Sequence, residues 1–308
     1  MDVLGSGRVQ RQRTAPLAGV SGAPEAQGIA HPSSGLARVF DAFLGSGRRG
    51  QALQSPVFAS QGDDLKPGQL RLESDFRPGE RDLHHLRLDM ANRSSGSSQF
   101  TAAGLAQIQA EVQQARPGAR LVIIDLRQES HGLLHGQPVE WMGPHNQANR
   151  GKSASTVHAD EQRRLADVGG QSEAALCAKA GVEYVRLPVT DHLVPDEATV
   201  AQFLGLAERL EKDGAWVHFH CKAGRGRTTT FMALWEMFRA RHGDVDATAT
   251  AERQRSLGGI DLLRVKPRAD DGGSSEARRD FVLAFGARVA ERALAARALA
   301  ERGASATC

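Results

Sequence analysis

The chain has 308 residues, of which 40% are hydrophobic, and its formal net charge at pH 7 is +3. A chain of this length can hold one large core or two modest ones, and its composition is ordinary for a globular protein. Residues 1–50 carry six arginines and three acidic residues, a balance of +3, so residues 51–308 have no net charge. Because residues 51–308 have no net charge, we do not expect a general nucleic-acid-binding surface, and any basic site should be local.

Residues 1–62 are rich in Gly, Ser, Ala, Arg and Pro, and we predict a largely disordered arm with one short helix at 35–43. They contain no apolar core of the kind that a Sec signal peptide needs. Such a polar leader suits type III secretion, but its composition is equally that of a plain disordered arm. No apolar run reaches the roughly 18 residues of a membrane span, so we predict none.

The periodicity of the body predicts an α/β domain over 63–302 and a flexible tail at 303–308. Apolar or alternating runs predict strands at 121–124, 183–187 and 215–219. Helical spacing and capping residues predict helices at 101–114, 159–168, 172–180, 195–211, 228–241, 246–255 and 275–302. Ser97 or Ser98 is a candidate N-cap for the first of these helices.

The most specific pattern runs from His220 to Thr228 and reads H-C-x-x-G-x-G-R-T. It lies between the predicted strand at 215–219 and the predicted helix at 228–241. Unpaired backbone N–H groups and the helix dipole favour an anion at such a helix start. The same field favours the thiolate form of Cys221. The pattern therefore predicts a phosphate-binding loop with a nucleophilic thiol, whereas the alternative is a buried structural cysteine on an ordinary turn.

The other residues of this loop fit the same chemistry. Gly224 and Gly226 allow successive N–H groups to turn towards a phosphate. Arg227 can hold two phosphate oxygens at once, and the Thr228 hydroxyl can donate to the sulfur and help it to leave a phosphocysteine. The loop residues that we expect to contact substrate are Lys222, Ala223, Gly224, Arg225 and Gly226.

Two extra cations in the loop, Lys222 and Arg225, suit a substrate that bears several phosphates. The alternative is that both side chains point into solvent. Arg278 and Arg279, at the start of the last predicted helix, are within reach of a distal phosphate, but the sequence does not assign them to the site.

Asp191 is the candidate general acid, because cleavage of a phosphate ester at neutral pH needs a proton for the departing alkoxide. It follows the predicted strand at 183–187. The alternative for Asp191 is a turn or N-cap aspartate, but Asp196 fits the capping role better. His192 is a candidate for steadying the acid or touching a substrate phosphate, and is otherwise a surface histidine.

The sequence predicts neither a metal ion nor a cofactor. The three cysteines have no spacing typical of disulfides or a zinc site; they are Cys177, Cys221 and Cys308. His218 and His220 alternate on one predicted strand, and His131 and His135 are four positions apart, but neither pair has a convincing third ligand nearby. The sequence also gives no indication of an oligomeric partner.

The loop resembles that of cysteine-dependent phosphatases, and the wider sequence resembles the bacterial protein-tyrosine-phosphatase-like (PTP-like) inositol polyphosphatases, or cysteine phytases. Three further segments carry this resemblance, which covers about residues 70–290; they are 125–132, 149–153 and 190–192. The resemblance implies the cysteine-phosphatase fold, with a central mixed β-sheet flanked by helices and a P-loop between a strand and a helix.

The resemblance also implies roles for particular residues. It makes Asp191 the general acid and places Asp125 and Lys152 in the substrate pocket, with Arg77 as a further candidate. For these last three residues, a structural ion pair or a solvated charge is the alternative. The chain departs from many bacterial phytases at Lys222, where they carry an acidic residue. It also departs at Val194, where the family has a tryptophan.

We therefore predict a hydrolase of inositol polyphosphates, with inositol hexakisphosphate (phytate) as substrate and a phosphocysteine as intermediate. Relatives in this family include effectors that plant pathogens inject, so the expected location is the host-cell cytoplasm, or otherwise the bacterial cytoplasm. One alternative is a protein tyrosine phosphatase acting on host phosphoproteins. Another is an inactive phosphatase that sequesters phosphorylated ligands.

Overall fold

A five-stranded mixed β-sheet lies at the centre of the fold, in a computed structural model that describes residues 71–72, 84–141 and 144–305. The strands are β1 (Arg71–Leu72), β2 (Arg87–Asp89), β3 (Ser94–Ser97), β4 (Leu121–Arg127), β5 (Ser130–Leu134), β6 (Gln137–Trp141), β7 (Glu183–Val189) and β8 (Trp216–His220). The helices are α1 (Ala102–Ala115), α2 (Ala154–Val168), α3 (Glu173–Lys179), α4 (Glu197–Lys212), α5 (Gly226–Arg239), α6 (Ala247–Ser256), α7 (Arg268–Asp271) and α8 (Ser274–Ser305).

The central sheet has the strand order β2-β3-β8-β4-β7. The β2–β3 pair is antiparallel, and the other neighbours are parallel. The carboxyl ends of β3, β8, β4 and β7 therefore meet at one edge, which is where open α/β sheets usually place their sites. A smaller antiparallel sheet has the order β1-β6-β5. The predicted mixed sheet flanked by helices is confirmed.

Helices cover both faces of the central sheet, because its inner strands alternate two sets of apolar side chains. Val122 and Ile124 of β4 join a core with residues of α4, α5 and α8. Leu121 and Ile123 join the opposite core, which α1 and α3 cover. Successive residues at the end of each strand therefore point to different sides of the molecule.

The predicted elements have the right type, with some differences in extent. Thr101, rather than Ser97 or Ser98, caps α1, since its hydroxyl accepts from the Gly104 N–H. Ser97 instead belongs to β3, a fully buried strand of sequence SSGS that has no hydrophobic signal. Asp196 caps α4 as predicted, with its carboxylate 2.7 Å from the Thr199 N–H.

Some predictions fall outside the described residues, including the disordered arm at 1–62 and the substrate contact at Arg77. The flexible tail was predicted to start at 303, but α8 continues to Ser305 because its helical hydrogen bonding persists. Residues 306–308 lie outside the described part. Among the helices that the structure describes, none is both long and apolar enough to cross a membrane.

Candidate active site

The loop that carries Cys221 leaves the end of β8 and enters α5 directly, which confirms the predicted strand–loop–helix arrangement. Gly224 has a φ of +67°, in the left-handed region that glycine tolerates. A Cβ atom at Gly224 would lie 2.4 Å from the backbone nitrogen of Ser98. Any other residue at this position would therefore push the loop away from the sheet.

Cys221 lies at the base of the loop and is only 3% exposed. Its Sγ accepts a hydrogen bond of 3.2 Å from the hydroxyl of Thr228, in the first turn of α5. The sulfur thus lies at the N-terminal end of a helix, where N–H groups and the dipole favour negative charge. The Thr228 hydroxyl donates to the Cys221 sulfur, as the motif predicts, and the roles of the two side chains in catalysis stay predictions.

Arg227 is buried beneath the loop and faces Glu129, a residue that the sequence analysis did not single out. Its Nη1 and Nη2 donate to the two oxygens of Glu129 over 2.7 and 2.9 Å. Nη1 also donates to the Val189 carbonyl over 3.0 Å. These contacts fix the guanidinium fork, whereas its Nε is buried with no hydrogen-bond partner among the described residues. That N–H is a ready donor for a phosphate oxygen.

The contact between Arg227 and Glu129 keeps both side chains charged. Burial lowers the pKa of Arg227, but the carboxylates of Glu129 and Asp191 outweigh burial and raise it above its usual value. Burial raises the pKa of Glu129, but the charges of Arg227 and Arg127 outweigh it and hold the pKa far below its usual range. The guanidinium therefore remains a permanent cation next to the sulfur-bearing loop.

Asp191 reaches the same place from the loop that follows β7. Its Oδ1 lies 3.2 Å from Arg227 Nη2. The Asn146 side chain donates to Asp191 Oδ2 over 3.0 Å, and the Gln147 side chain donates to the Asp191 backbone carbonyl over 2.9 Å. These contacts hold the carboxylate from two sides, and the structure thereby brings Cys221, Arg227 and Asp191 together.

Two more residues predicted to contact substrate lie on the outer side of the site. The His192 side chain is 62% exposed, and its Nε2 is 3.8 Å from Asp191 Oδ2. Lys152 is exposed, and its Nζ donates to Asn149 Oδ1 over 3.4 Å. Asn149 in turn donates to Ser130 Oγ over 2.9 Å, close to the end of β4. Both predicted contacts are therefore accessible to a ligand.

Lys222, predicted as a substrate-binding cation of the loop, forms an ion pair with a buried acid. Its Nζ lies 2.5 Å from Glu140 Oε1, on β6. The other oxygen of Glu140 lies 2.6 Å from Arg127 Nη2. A substrate phosphate would therefore have to compete with Glu140 for Lys222. Arg225 and Ala223, by contrast, are exposed on the loop that precedes α5.

Asp125, which the resemblance assigns to the substrate pocket, lies in the interior of the fold in this structure. The residue is fully buried at the end of β4. Its carboxylate accepts from the Tyr184 hydroxyl over 2.7 Å and from the Arg127 backbone N–H over 2.8 Å. Strand alternation directs Asp125 to the face that α1 and α3 cover, whereas Cys221 belongs to the opposite core.

Arg278 is a further cation at the loop, supplied by α8. A Cβ atom at Gly226 would lie 3.1 Å from Arg278 Nη2, so the guanidinium rests against the loop. Arg278 also lines a small cleft together with Arg227 and Val194. Burial lowers the pKa of Arg278, and the charge of Asp191 opposes that effect. Arg278 therefore extends the positive charge of the site towards the C-terminal helix.

Some residues that support the loop lie far from it along the chain, and no sequence pattern indicated them. Arg87 donates to the Gly224 carbonyl over 2.9 Å and to the Thr229 hydroxyl over 3.0 Å. Its separation from Gly224 is 137 residues, and that of Glu129 from Arg227 is 98 residues. No spacing rule connects such partners. The only available signal for Glu129 was its place inside the segment 125–132.

The central sheet, the loop between β8 and α5 and the aspartate after β7 together define the cysteine-phosphatase fold. The PTP-like phytase of Bdellovibrio bacteriovorus is 30% identical, with a TM-score of 0.65, over 72% of this chain and 88% of that chain. A PTP-like myo-inositol phosphatase of Mitsuokella multacida, in complex with myo-inositol-(1,3,4,5)-tetrakisphosphate, is 26% identical, with a TM-score of 0.61. That match covers 73% of this chain and 43% of that chain.

The chain belongs to the PTP-like phytase family. The family model, whose description names inositol hexakisphosphate, matches residues 170–239, which include the P-loop and Asp191. The effector protein hopD2 of Pseudomonas syringae pv. tomato is 27% identical over 265 residues, or 72% of this chain. The chain spans 54% of the length of that curated relative.

Proposed function

We propose that the protein hydrolyses phosphomonoesters of inositol polyphosphates, with inositol hexakisphosphate as its substrate, through a phosphocysteine. The observation that carries this proposal is that the loop after β7 lies next to the P-loop. The Thr228 hydroxyl lies 3.2 Å from Cys221 Sγ, and Arg227 lies 3.2 Å from Asp191. A nucleophile, an anion-binding guanidinium and a proton donor thus converge at one helix N-terminus, as phosphoryl transfer through a thiol requires.

The residues support a two-step reaction. The Cys221 thiolate attacks phosphorus in line, the S–P bond forms, the P–O bond to inositol breaks, and Asp191 gives its proton to the departing oxygen. Water then attacks phosphorus while Asp191 accepts one of its protons. The S–P bond breaks, its electron pair returns to sulfur, and phosphate leaves. Arg227 and the loop amides bind the equatorial oxygens, and the Thr228 hydroxyl stabilises the departing thiolate.

The spread of cations around the loop supports a substrate with several phosphates. Arg278 lies against Gly226 but comes from a different helix than Arg227. Arg225 is exposed at the start of α5. Guanidinium groups in separate directions suit phosphates in separate directions, as on an inositol ring. The Mitsuokella multacida relative, whose structure contains an inositol tetrakisphosphate, supports the same substrate class.

The deciding experiment compares phosphate release from phytate and from a phosphotyrosine peptide. We expect wild-type protein to favour phytate by at least about tenfold in kcat/KM, because only phytate can occupy several cations at once. Cys221→Ser should abolish release from both substrates. Cys177→Ala is the matched control, because Cys177 is a buried cysteine on α3 outside the site.

The two alternative functions give different results in the same assay. Release from the peptide without release from phytate would show a protein tyrosine phosphatase and reject the inositol assignment. If wild-type protein binds phytate but releases phosphate from neither substrate, it is a sequestering module. In either case the phytate hydrolase proposed here is rejected.

We also propose that the protein acts as an effector in the cytoplasm of a host cell. The similarity to hopD2 supports this proposal. The composition of residues 1–62 suits a secretion signal, so a fusion of the full chain to a host-activated reporter enzyme should give a host-cell signal. That signal should require both residues 1–62 and a functional type III apparatus in the donor bacterium. A signal that persists without the apparatus would contradict the proposal.

A further inference from the structure

A second group of chemistry-bearing side chains lies on the face of the central sheet that α1 and α3 cover. We call it the His/carboxylate cluster, and its members are Asp125 on β4, His131 on β5, Glu173 at the start of α3 and His220 at the end of β8. All of its members are buried, and the most exposed, Glu173, is 4% exposed. The phosphoryl transfer proposed above uses none of them.

Nitrogen and oxygen atoms alternate around this cluster. His131 Nε2 lies 3.3 Å from Asp125 Oδ2 and 3.3 Å from Glu173 Oε2. His220 Nε2 lies 3.2 Å from the same oxygen of Glu173 and 3.7 Å from Asp125 Oδ1. Donor atoms of Asp125, His131 and Glu173 all lie within 4.8 Å of one another. Ligand atoms bound to tetrahedral Zn²⁺ at about 2.0–2.2 Å lie roughly 3.3 Å apart, which is close to these separations.

The hydrogen bonds within the cluster are incomplete. Glu173 Oε2 and both ring nitrogens of His220 are buried without a hydrogen-bond partner among the residues that the structure describes. Buried polar atoms without partners are destabilising, so a native protein normally satisfies them. A cation bound by Asp125, His131 and Glu173 would satisfy Glu173 Oε2.

The orientation of His131 favours metal binding. Its Nδ1 lies 2.7 Å from the Glu129 backbone carbonyl, which can only accept, so Nδ1 carries a hydrogen. In the neutral imidazole, Nε2 then presents a lone pair to the carboxylates of Asp125 and Glu173. A lone pair that faces two anions needs either a proton or a metal cation between them, and the metal analysis below separates these two cases. A backbone carbonyl on the far nitrogen is also the usual arrangement of a metal-bound histidine.

We propose that the His/carboxylate cluster binds one structural divalent cation of the zinc class. One imidazole and two carboxylate donors from Asp125, His131 and Glu173 suit Zn²⁺. His220 lies beside this set, with its Nε2 3.2 Å from Glu173 Oε2, and the burial of all four side chains favours a structural role. The ion would tie β4 to β5 and α3, next to the end of β8. Since His220 immediately precedes Cys221, it would also anchor the start of the P-loop.

The test is a metal analysis of the full chain, purified without a histidine tag or chelator from medium that contains Zn²⁺. We expect about one zinc per chain in wild-type protein and less than about 0.1 in Glu173→Gln and His131→Gln. His135→Asn is the matched control and should keep the full content, because His135 is an exposed histidine outside the cluster. The Cys221→Ser variant should also keep its zinc.

If the cluster variants Glu173→Gln and His131→Gln do not fold, the proposal is tested on Cys221→Ser, in which the cluster is intact. A chelator should lower its Tm, and added Zn²⁺ should restore it. Co²⁺ in place of zinc should give the visible absorption of a tetrahedral site, without the charge-transfer band of a thiolate ligand. Folded wild-type protein that contains no metal and gives no Co²⁺ spectrum would overturn the proposal. Zinc that is lost in Cys221→Ser would also overturn it.

Discussion

The P-loop and the His/carboxylate cluster lie at the same edge of the sheet, yet they are built in opposite ways. The P-loop is one continuous segment, 221–227, whose backbone and side chains act together. The cluster collects single residues from separate elements. One peptide bond separates the two regions, because Cys221 belongs to the core on the α5 side and His220 is directed to the α1 side. Strand alternation alone thus divides the chemistry between two faces.

This difference has a physical consequence for mutations. The P-loop depends on local backbone geometry, so substitutions there should change turnover more than stability. The cluster depends on charge compensation in a buried place, where removal of one partner is strongly destabilising. The following variants test this contrast, from the largest expected effect to the smallest.

Cys221→Ser and Glu173→Gln should separate the two regions most clearly. Serine removes the thiolate, so kcat/KM for phytate should fall at least about 1,000-fold while the free energy of unfolding changes little. Glu173→Gln should lower the free energy of unfolding by about 3 kcal/mol and leave turnover by folded protein within about fivefold. Phosphate release and urea unfolding measure these effects. The contrast fails if folded Glu173→Gln is as inactive as Cys221→Ser.

Glu129→Gln tests a contact on the catalytic side, the pairing of Glu129 with the Arg227 fork. The neutral amide keeps the size of the side chain but offers only one acceptor, so the guanidinium should lose its fixed orientation. We expect kcat to fall by about 10- to 100-fold with little change in KM. Partial recovery in Glu129→Asp would support a positioning role. If kcat falls equally in Glu129→Gln and Glu129→Asp, and in parallel with the loss of stability, Glu129 instead has a structural role.

Arg278→Ala tests whether positive charge on α8 contributes to binding. Since the guanidinium lies against Gly226 and comes from a different helix than Arg227, we expect KM for phytate to rise about tenfold at nearly constant kcat. Hydrolysis of a simple aryl monophosphate should hardly change. The neighbouring Arg279→Ala is the control, because Arg279 pairs with exposed Asp280 over 2.7 Å. Similar effects of both variants would argue against a specific contact by Arg278.

Asp89→Asn tests a buried acid that belongs to neither region. Burial raises the pKa of Asp89, but hydrogen bonds from Arg253 and Asn92 outweigh it and lower the pKa below its usual value. Such a group stabilises the fold above its unfolded pKa of about 3.9, and this contribution is lost as pH falls below that value. The variant should therefore lose about 1–3 kcal/mol at pH 7 and less at pH 3.

The measurement for Asp89→Asn is urea unfolding at both pH values. Turnover per folded molecule should equal that of wild-type protein. A stability loss of the same size at both pH values would contradict the assigned ionisation of Asp89.

The elements that carry a local signal were predictable. Apolar runs indicated β4, β7 and β8, and caps such as Asp196 indicated where helices start. Strand β3 gave no such signal, since SSGS is neither apolar nor alternating, and only its neighbours β2 and β8 make it a strand. The motif likewise indicated the thiol, the arginine and the hydroxyl of the P-loop.

Long-range pairings were not predictable from the sequence. Along the chain, the histidine pairs that suggest metal ligands are His131 with His135 and His218 with His220. The fold instead brings His131 to the same buried carboxylates as His220. The resemblance placed Asp125 at the substrate, but the sequence alone did not indicate the face of the sheet to which its side chain points.

The sequence by itself determined the P-loop, because backbone geometry, glycine positions and helix dipole act within a few consecutive residues. Only the tertiary structure decided which buried charges meet, such as Glu129 with Arg227 and Lys222 with Glu140. Such pairs form where strands from distant parts of the chain end at one edge of a sheet. Their energy depends on distance and burial in space, which residue spacing along the chain does not encode.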